Sequence, residues 1–137
     1  MASKRKTWMP APPRRTKPQV PDSIKGILKE KADEIIENVL KPEHIKPPPT
    51  DNDFNYLVDI YSKWYRNYFY FCAKYASPGP NAMSPHFETK FARLEYVAED
   101  RYHLSYMRHT DKWWEVYRDL SLAECLNTIR DDPLFMP

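Results

Sequence analysis

The chain has 137 residues with two glycines and fourteen prolines, so neither a dinucleotide-binding G-x-G-x-x-G turn nor a P-loop can be written in it. Hydrophobic residues make up 42% and charged residues 29%, which suits one globular domain rather than a wholly disordered chain. No apolar run approaches the ~18 residues of a membrane span. Cys72 and Cys125 are too few for a disulfide framework or a thiolate zinc site, so they read as buried thiols in a reducing, cytoplasmic setting.

The net charge of +2 conceals two unlike parts. Residues 1–20 hold Lys4, Arg5, Lys6, Arg14, Arg15 and Lys17 with no acid, a charge of +6, and the remainder carries −4. Pro10, Pro12, Pro13 and Pro18 hold this stretch extended, because proline fixes φ and removes a backbone donor. Residues 1–21 are therefore expected to form a disordered, basic, Pro-rich arm that buries almost nothing, with Trp8 and Met9 as its only large apolar groups. Residues 22–137 form a single domain.

From Asp22 the apolar residues Ile24, Ile27, Leu28, Ala32, Ile35, Ile36, Val39 and Leu40 recur at helical period. This predicts a helix over 22–40, with Asp22 or Ser23 as N-cap and Pro42 as terminator. Residues 41–53 read as a stiff connector around Pro47, Pro48 and Pro49. Residues 54–120 are dense in aromatics and read as five strands: 54–65, 68–75, 87–97, 102–109 and 113–120. Turns are expected at Arg66 and Asn67, Glu99 and Asp100, and Thr110 to Lys112, with a Pro-fixed loop over 77–85. The first strand is the most ambiguous, since Leu57, Ile60, Tyr61 and Trp64 would also suit a helix.

Ser121-Leu-Ala-Glu124 matches a capping box and starts a helix over 121–131. Leu122, Cys125, Leu126 and Ile129 form its buried stripe, and Leu134, Phe135 and Met136 are placed to fold back. The fold class is α+β: a roughly five-stranded antiparallel meander covered by an N-terminal and a C-terminal helix.

Few residues point to chemistry. His103 and His109 lie too far apart on one strand to share a metal, so neither a metal nor a cofactor is expected. Cys72 sits mid-strand, where apolar surroundings leave a thiol inert. The run Tyr106-Met-Arg-His-Thr-Asp-Lys-Trp-Trp-Glu-Val-Tyr117 places Arg108 and His109 beside a turn, with Trp113 following. Arg108, His109 and Trp113 form a candidate anion site, with Arg93, Lys90 and the loop from Ser84 to His86 as neighbours. Tyr68, Phe69, Tyr70, Phe71 and Tyr75 are expected in the core, since the RNP-type motif of RNA-recognition sheets is absent.

Asn67-Tyr-Phe-Tyr-Phe-Cys72, the loop Ser77-Pro-Gly-Pro-Asn-Ala-Met-Ser-Pro85, Phe91-Ala-Arg-Leu-Glu-Tyr96, Leu104-Ser-Tyr-Met-Arg-His-Thr110 and Ser121-Leu-Ala-Glu-Cys-Leu126 together resemble a family of small bacterial proteins of unknown function. The resemblance covers roughly residues 20–137. It implies a compact bacterial domain and assigns no catalytic or binding residues.

The expected function is non-enzymatic binding. Lys4, Arg5, Lys6, Arg14, Arg15 and Lys17 contact a nucleic-acid backbone, RNA ahead of DNA, within a larger complex. The alternatives are an interaction subunit docking a protein through the arm and Trp8, or a small-anion binder at Arg108 and His109.

Overall fold

The computed structural model describes residues 19–48, 54–80, 82–107 and 112–137. The arm cations, Trp8, Arg108, His109 and the turn at Thr110 and Asp111 lie outside the described residues.

Helix α1 (Asp22–Ile35) continues through a π-helical turn (Ile36–Leu40) into a short helix α2 (Lys41–His44). The sheet follows as β1 (Tyr56–Tyr65), β2 (Tyr68–Ala76), β3 (His86–Ala98), β4 (Arg101–Met107) and β5 (Trp113–Leu120). Helix α3 (Leu122–Asp131) and a 3-10 turn (Pro133–Phe135) complete the chain. Every strand pairs antiparallel with its sequence neighbour, in spatial order β1-β2-β3-β4-β5. The architecture is the expected α+β meander with a helix at each end.

Several local expectations need correction. The first helix passes Pro42 and ends at His44. In the wider π turn Lys41 N–H bonds the Ile36 carbonyl, and Pro42 then falls in the first turn of the next helical segment, where its missing donor costs little. Pro21, not Asp22 or Ser23, occupies the N-cap, with no side-chain cap; Asp22 instead places its carboxylate in the first turn, where the helix dipole favours it. Val20 is buried at 4% exposure and joins the core, so the stretch 1–20 does not end free of the domain. Phe54 stands outside β1 and is exposed.

The ambiguity at residues 54–65 resolves as strand. An irregularity between Leu57 and Asp59 shifts the simple alternation, so Leu57, Ile60, Ser62 and Trp64 share the face that packs under the helices. At the other end of the domain the capping box forms as expected: Ser121 Oγ accepts from Glu124 N–H at 3.2 Å, and Glu124 Oε1 accepts from Ser121 N–H at 2.9 Å. Cys125, Leu126 and Ile129 are buried, and Phe135 folds back to 1% exposure while Leu134 and Met136 stay exposed.

The core is one layer between the helices and one face of the sheet. Leu28, Ala32, Ile36 and Leu40 meet Ile60, Phe69, Phe71, Leu94 and Leu104, with the α3 stripe closing the far side. Burial of each such Leu or Phe side chain contributes about 1.5–3 kcal/mol. Polar contacts fix where α1 lies: Trp64 Nε1 donates to the Lys25 carbonyl at 3.1 Å, and Lys29 Nζ reaches Ser62.

Candidate functional site

Residues directly opposite one another on paired strands point to the same face. On the face under the helices stand Trp64, Phe69 and Leu94, and likewise Ser62, Phe71 and Ala92. The other face carries Lys63, Tyr70, Arg93 and Ser105 in one row across β1 to β4, and Tyr65, Tyr68, Glu95 and His103 in the next. Among the described residues no helix packs on this second face. The expectation that Tyr68, Phe69, Tyr70, Phe71 and Tyr75 are all core is therefore corrected for two of them. Phe69 and Phe71 are fully buried, whereas Tyr68 and Tyr70 stand half-buried on the uncovered side. Tyr75 lies on the helix side near the sheet end, stacked on Phe87 at 5.4 Å.

The uncovered face gathers rings and cations. The Arg93 guanidinium lies between two rings, 4.6 Å from the centre of Tyr68 and 4.9 Å from that of Trp113. Tyr70 adjoins both neighbours, with ring centres 6.2 Å from Tyr68 and 5.8 Å from Trp113. Lys90 Nζ sits 5.6 Å from the Tyr70 ring centre. Each cation–ring contact is worth about 0.5–1 kcal/mol at a partly exposed site, so the cluster is held in place without being sealed. Arg93 Nε is buried and has no hydrogen-bond partner among the described residues.

A carboxylate tethers the flanking lysines. Glu88 pairs with Lys63 at 3.0 Å and Lys90 at 3.3 Å, and accepts a hydrogen bond from the Tyr61 hydroxyl. Beneath them Cys72 is fully buried. Burial raises its thiol pKa, and the nearby Lys63 and Lys90 charges oppose that rise without reversing it. Cys125 is also buried, and burial pushes its thiol up to about 12. Neither thiol is poised as a nucleophile.

Of the residues singled out from sequence, Trp113 is described, and it does meet Arg93 on this face. Lys90 joins through Tyr70. The loop at Ser84 does not, because His86 lies opposite Ala76, four positions along β3 from Lys90 and about 13 Å away at strand spacing. His103 has a structural partner: its Nδ1 accepts from Asp119 N–H at 3.2 Å, where Asp119 holds a φ of 56° near the end of β5. Among the described residues no group of three His, Cys, Asp or Glu side chains could hold a metal ion. No helix there is long and apolar enough to cross a membrane. Lys63 and Tyr70 escape a reading by residue type alone. The signal for them lies in the run Tyr68-Phe-Tyr-Phe71, where the hydroxylated rings fall at one parity and the bare rings at the other.

A second concavity lies on the helical side. A groove of about 530 Å³ opens between α1 and α3, floored by Ile24, Ile27, Leu122 and Leu126 and rimmed by Glu34 and Glu99. Asp100, also on its rim, accepts the Leu122 N–H at 2.9 Å and so holds the start of α3.

The chain belongs to the family described as a domain of unknown function, DUF3024, which it matches over residues 6–137. That match includes Lys6, Trp8, Arg14, Arg15 and Lys17 as well as the whole sheet. No curated protein and no solved structure matches the chain.

Proposed function

We propose that this member of the DUF3024 family is a non-enzymatic nucleic-acid-binding protein that takes RNA ahead of DNA. The observation that carries the reading is the division of charge across the sheet. The helical layer, residues 22–48 and 121–137, holds nine carboxylates against six cations. A polyanion is repelled from that side. On the opposite side Lys63 and Lys90 pair with Glu88, Arg93 stands in the row beside Glu95, and Arg93 and Lys90 are held over aromatic rings. The six cations of residues 1–20 add a segment that neutralises phosphates without regard to sequence.

Binding of this kind releases counterions, so affinity falls linearly in log salt. Six arm contacts to a single strand predict a slope of about −4. The test is a salt titration of RNA binding by the full chain, beside a variant with Lys4, Arg5, Lys6, Arg14, Arg15 and Lys17 changed to Gln. Weaker binding and a flatter slope in the variant support the reading. Binding that is independent of salt, or unchanged in the variant, refutes the arm's role.

A second reading, an interaction subunit docking through the arm and Trp8, draws on the apolar groove between α1 and α3, where Ile27 is 47% exposed. Trp8→Ala separates the two: it is severe for a protein partner and mild for phosphate tracking. Nuclease treatment of a native lysate releases the protein from its complex only under the first reading.

A further inference from the structure

We infer that the uncovered sheet face is a stacking platform for unpaired bases, so that the ligand class is single-stranded RNA rather than duplex. This rests on the nucleic-acid reading above and names its substrate. Backbone charge alone would not distinguish the two forms, because phosphates are displayed by both. The rings do distinguish them, since the π-faces of bases are hidden in a duplex and open in a single strand.

Three features of the face point this way. First, Tyr68, Tyr70 and Trp113 form a continuous set, with ring centres 6.2 and 5.8 Å apart. That spacing is wider than the ~3.4 Å step of stacked bases in a helix, so the rings suit bases drawn apart along an extended strand. Second, Arg93 is already laid over Tyr68 and Trp113. A guanidinium plane stacks on bases as an aromatic ring does, and its donors suit base edges or phosphate oxygens. Third, Lys63 and Lys90 flank Tyr70, placed to meet phosphates on either side of a base stacked there. Their tether Glu88 keeps both side chains on this face before the ligand arrives.

The chemistry requires the rings and not merely the charges. Phe in place of Tyr70 or Trp113 should therefore preserve most of the binding, and Ala should not. Base stacking is worth about 1–3 kcal/mol per base, so Tyr70→Ala and Trp113→Ala should each weaken single-strand binding roughly 5- to 150-fold. The salt slope should stay unchanged in both.

The experiment uses the full chain and two fluorescein-labelled probes at one salt concentration: a 12-nucleotide oligouridylate and an RNA duplex of the same total phosphate count. Expected are at least tenfold tighter binding of the single strand, loss of that preference in Tyr70→Ala and Trp113→Ala, and recovery in Tyr70→Phe and Trp113→Phe. Far-UV circular dichroism and melting confirm that each variant is folded, and the Phe variants read the platform if an Ala variant is not. Equal binding of both probes, with the Ala variants silent, overturns the platform. If the arm variant then still loses both probes, the general nucleic-acid reading survives alone. If the ring variants fail while the arm variant binds normally, the platform stands and the arm's role falls. Failure of the wild-type chain to bind either probe overturns both.

Discussion

Lys29 Nζ lies 2.9 Å from Ser62 Oγ, and this contact ties the first helix to the edge of the sheet. The same ammonium reaches both Asp33 oxygens at 2.8 and 3.0 Å, while Ser62 donates to Asp33 Oδ1 at 2.6 Å. The knot orients α1 against β1, and through α1 it decides which face of the sheet is covered. Ser62 is 5% exposed, so its hydroxyl has few other partners. Ser62→Ala should cost about 1–2 kcal/mol, read as a lower urea midpoint at unchanged slope. The Lys29–Asp33 pair itself is over 40% exposed and adds little beyond this. A double-mutant cycle of Ser62→Ala with Lys29→Met should show a coupling of about 0.5 kcal/mol or more.

The two faces of β2 should respond differently to the same truncation. Phe71 is fully buried under the helices, and Phe71→Ala should cost about 3–5 kcal/mol through lost burial and the cavity left behind. Tyr70, one residue earlier, stands half-buried on the uncovered side, and Tyr70→Ala should cost about 1 kcal/mol. Equal losses in denaturant melts would mean that the uncovered face is in fact packed.

Val20 sets a limit on how much of the N-terminal stretch can be removed without exposing the core. A chain beginning at Gln19 keeps this side chain, which packs in the core at 4% exposure. A chain beginning at Pro21 loses it and should be less stable by about 1.5–3 kcal/mol. Melting temperatures of the two truncated chains check this, and identical values would show that Val20 contributes nothing.

Stability should fall at alkaline pH for a reason located in the core. Burial pushes the Tyr102 hydroxyl up to about 12, and the Cys125 thiol also up to about 12. Both groups hold their protons in the fold at a pH where the unfolded chain has released them. Their contribution is therefore complete below about pH 9, the ordinary thiol value, and is lost as the pH rises toward 12. Urea midpoints measured from pH 7 to 11 should be level at first and then decline. A Cys125→Ser or Tyr102→Phe change should flatten part of that decline.

Much of the architecture was legible along the chain because its signals are local. The capping box at Ser121 and Glu124 names both of its partners within four residues. Alternation at Ala92, Leu94 and Tyr96 marks one buried face of β3, and all three are buried. The turn at Arg66 and Asn67 and the fivefold division of the sheet follow from the same short-range patterns. Pro42 was misleading for a local reason too: the π turn before it changes the bonding register, and no residue pattern announces such a turn.

The site was not legible in that way, since alternation says that a strand has two faces without saying which one is covered. In Tyr68-Phe-Tyr-Phe71 both parities are aromatic, and either could be core. The choice was made by where α1 docks, through Lys29, Ser62 and Trp64, contacts that join residues more than thirty positions apart. The irregularities at Leu57 to Asp59 and at Phe71 to Cys72 then reset the parity within β1 and between β2 and β3. Arg93 and Trp113 are twenty positions apart in the chain and meet because β4 lies between their strands in a fixed register. Local sequence determined the elements and their order, because propensity, capping and turns act over a few residues. Tertiary structure decided the open face and its cluster of rings and cations, because those depend on packing and register between segments distant in the chain.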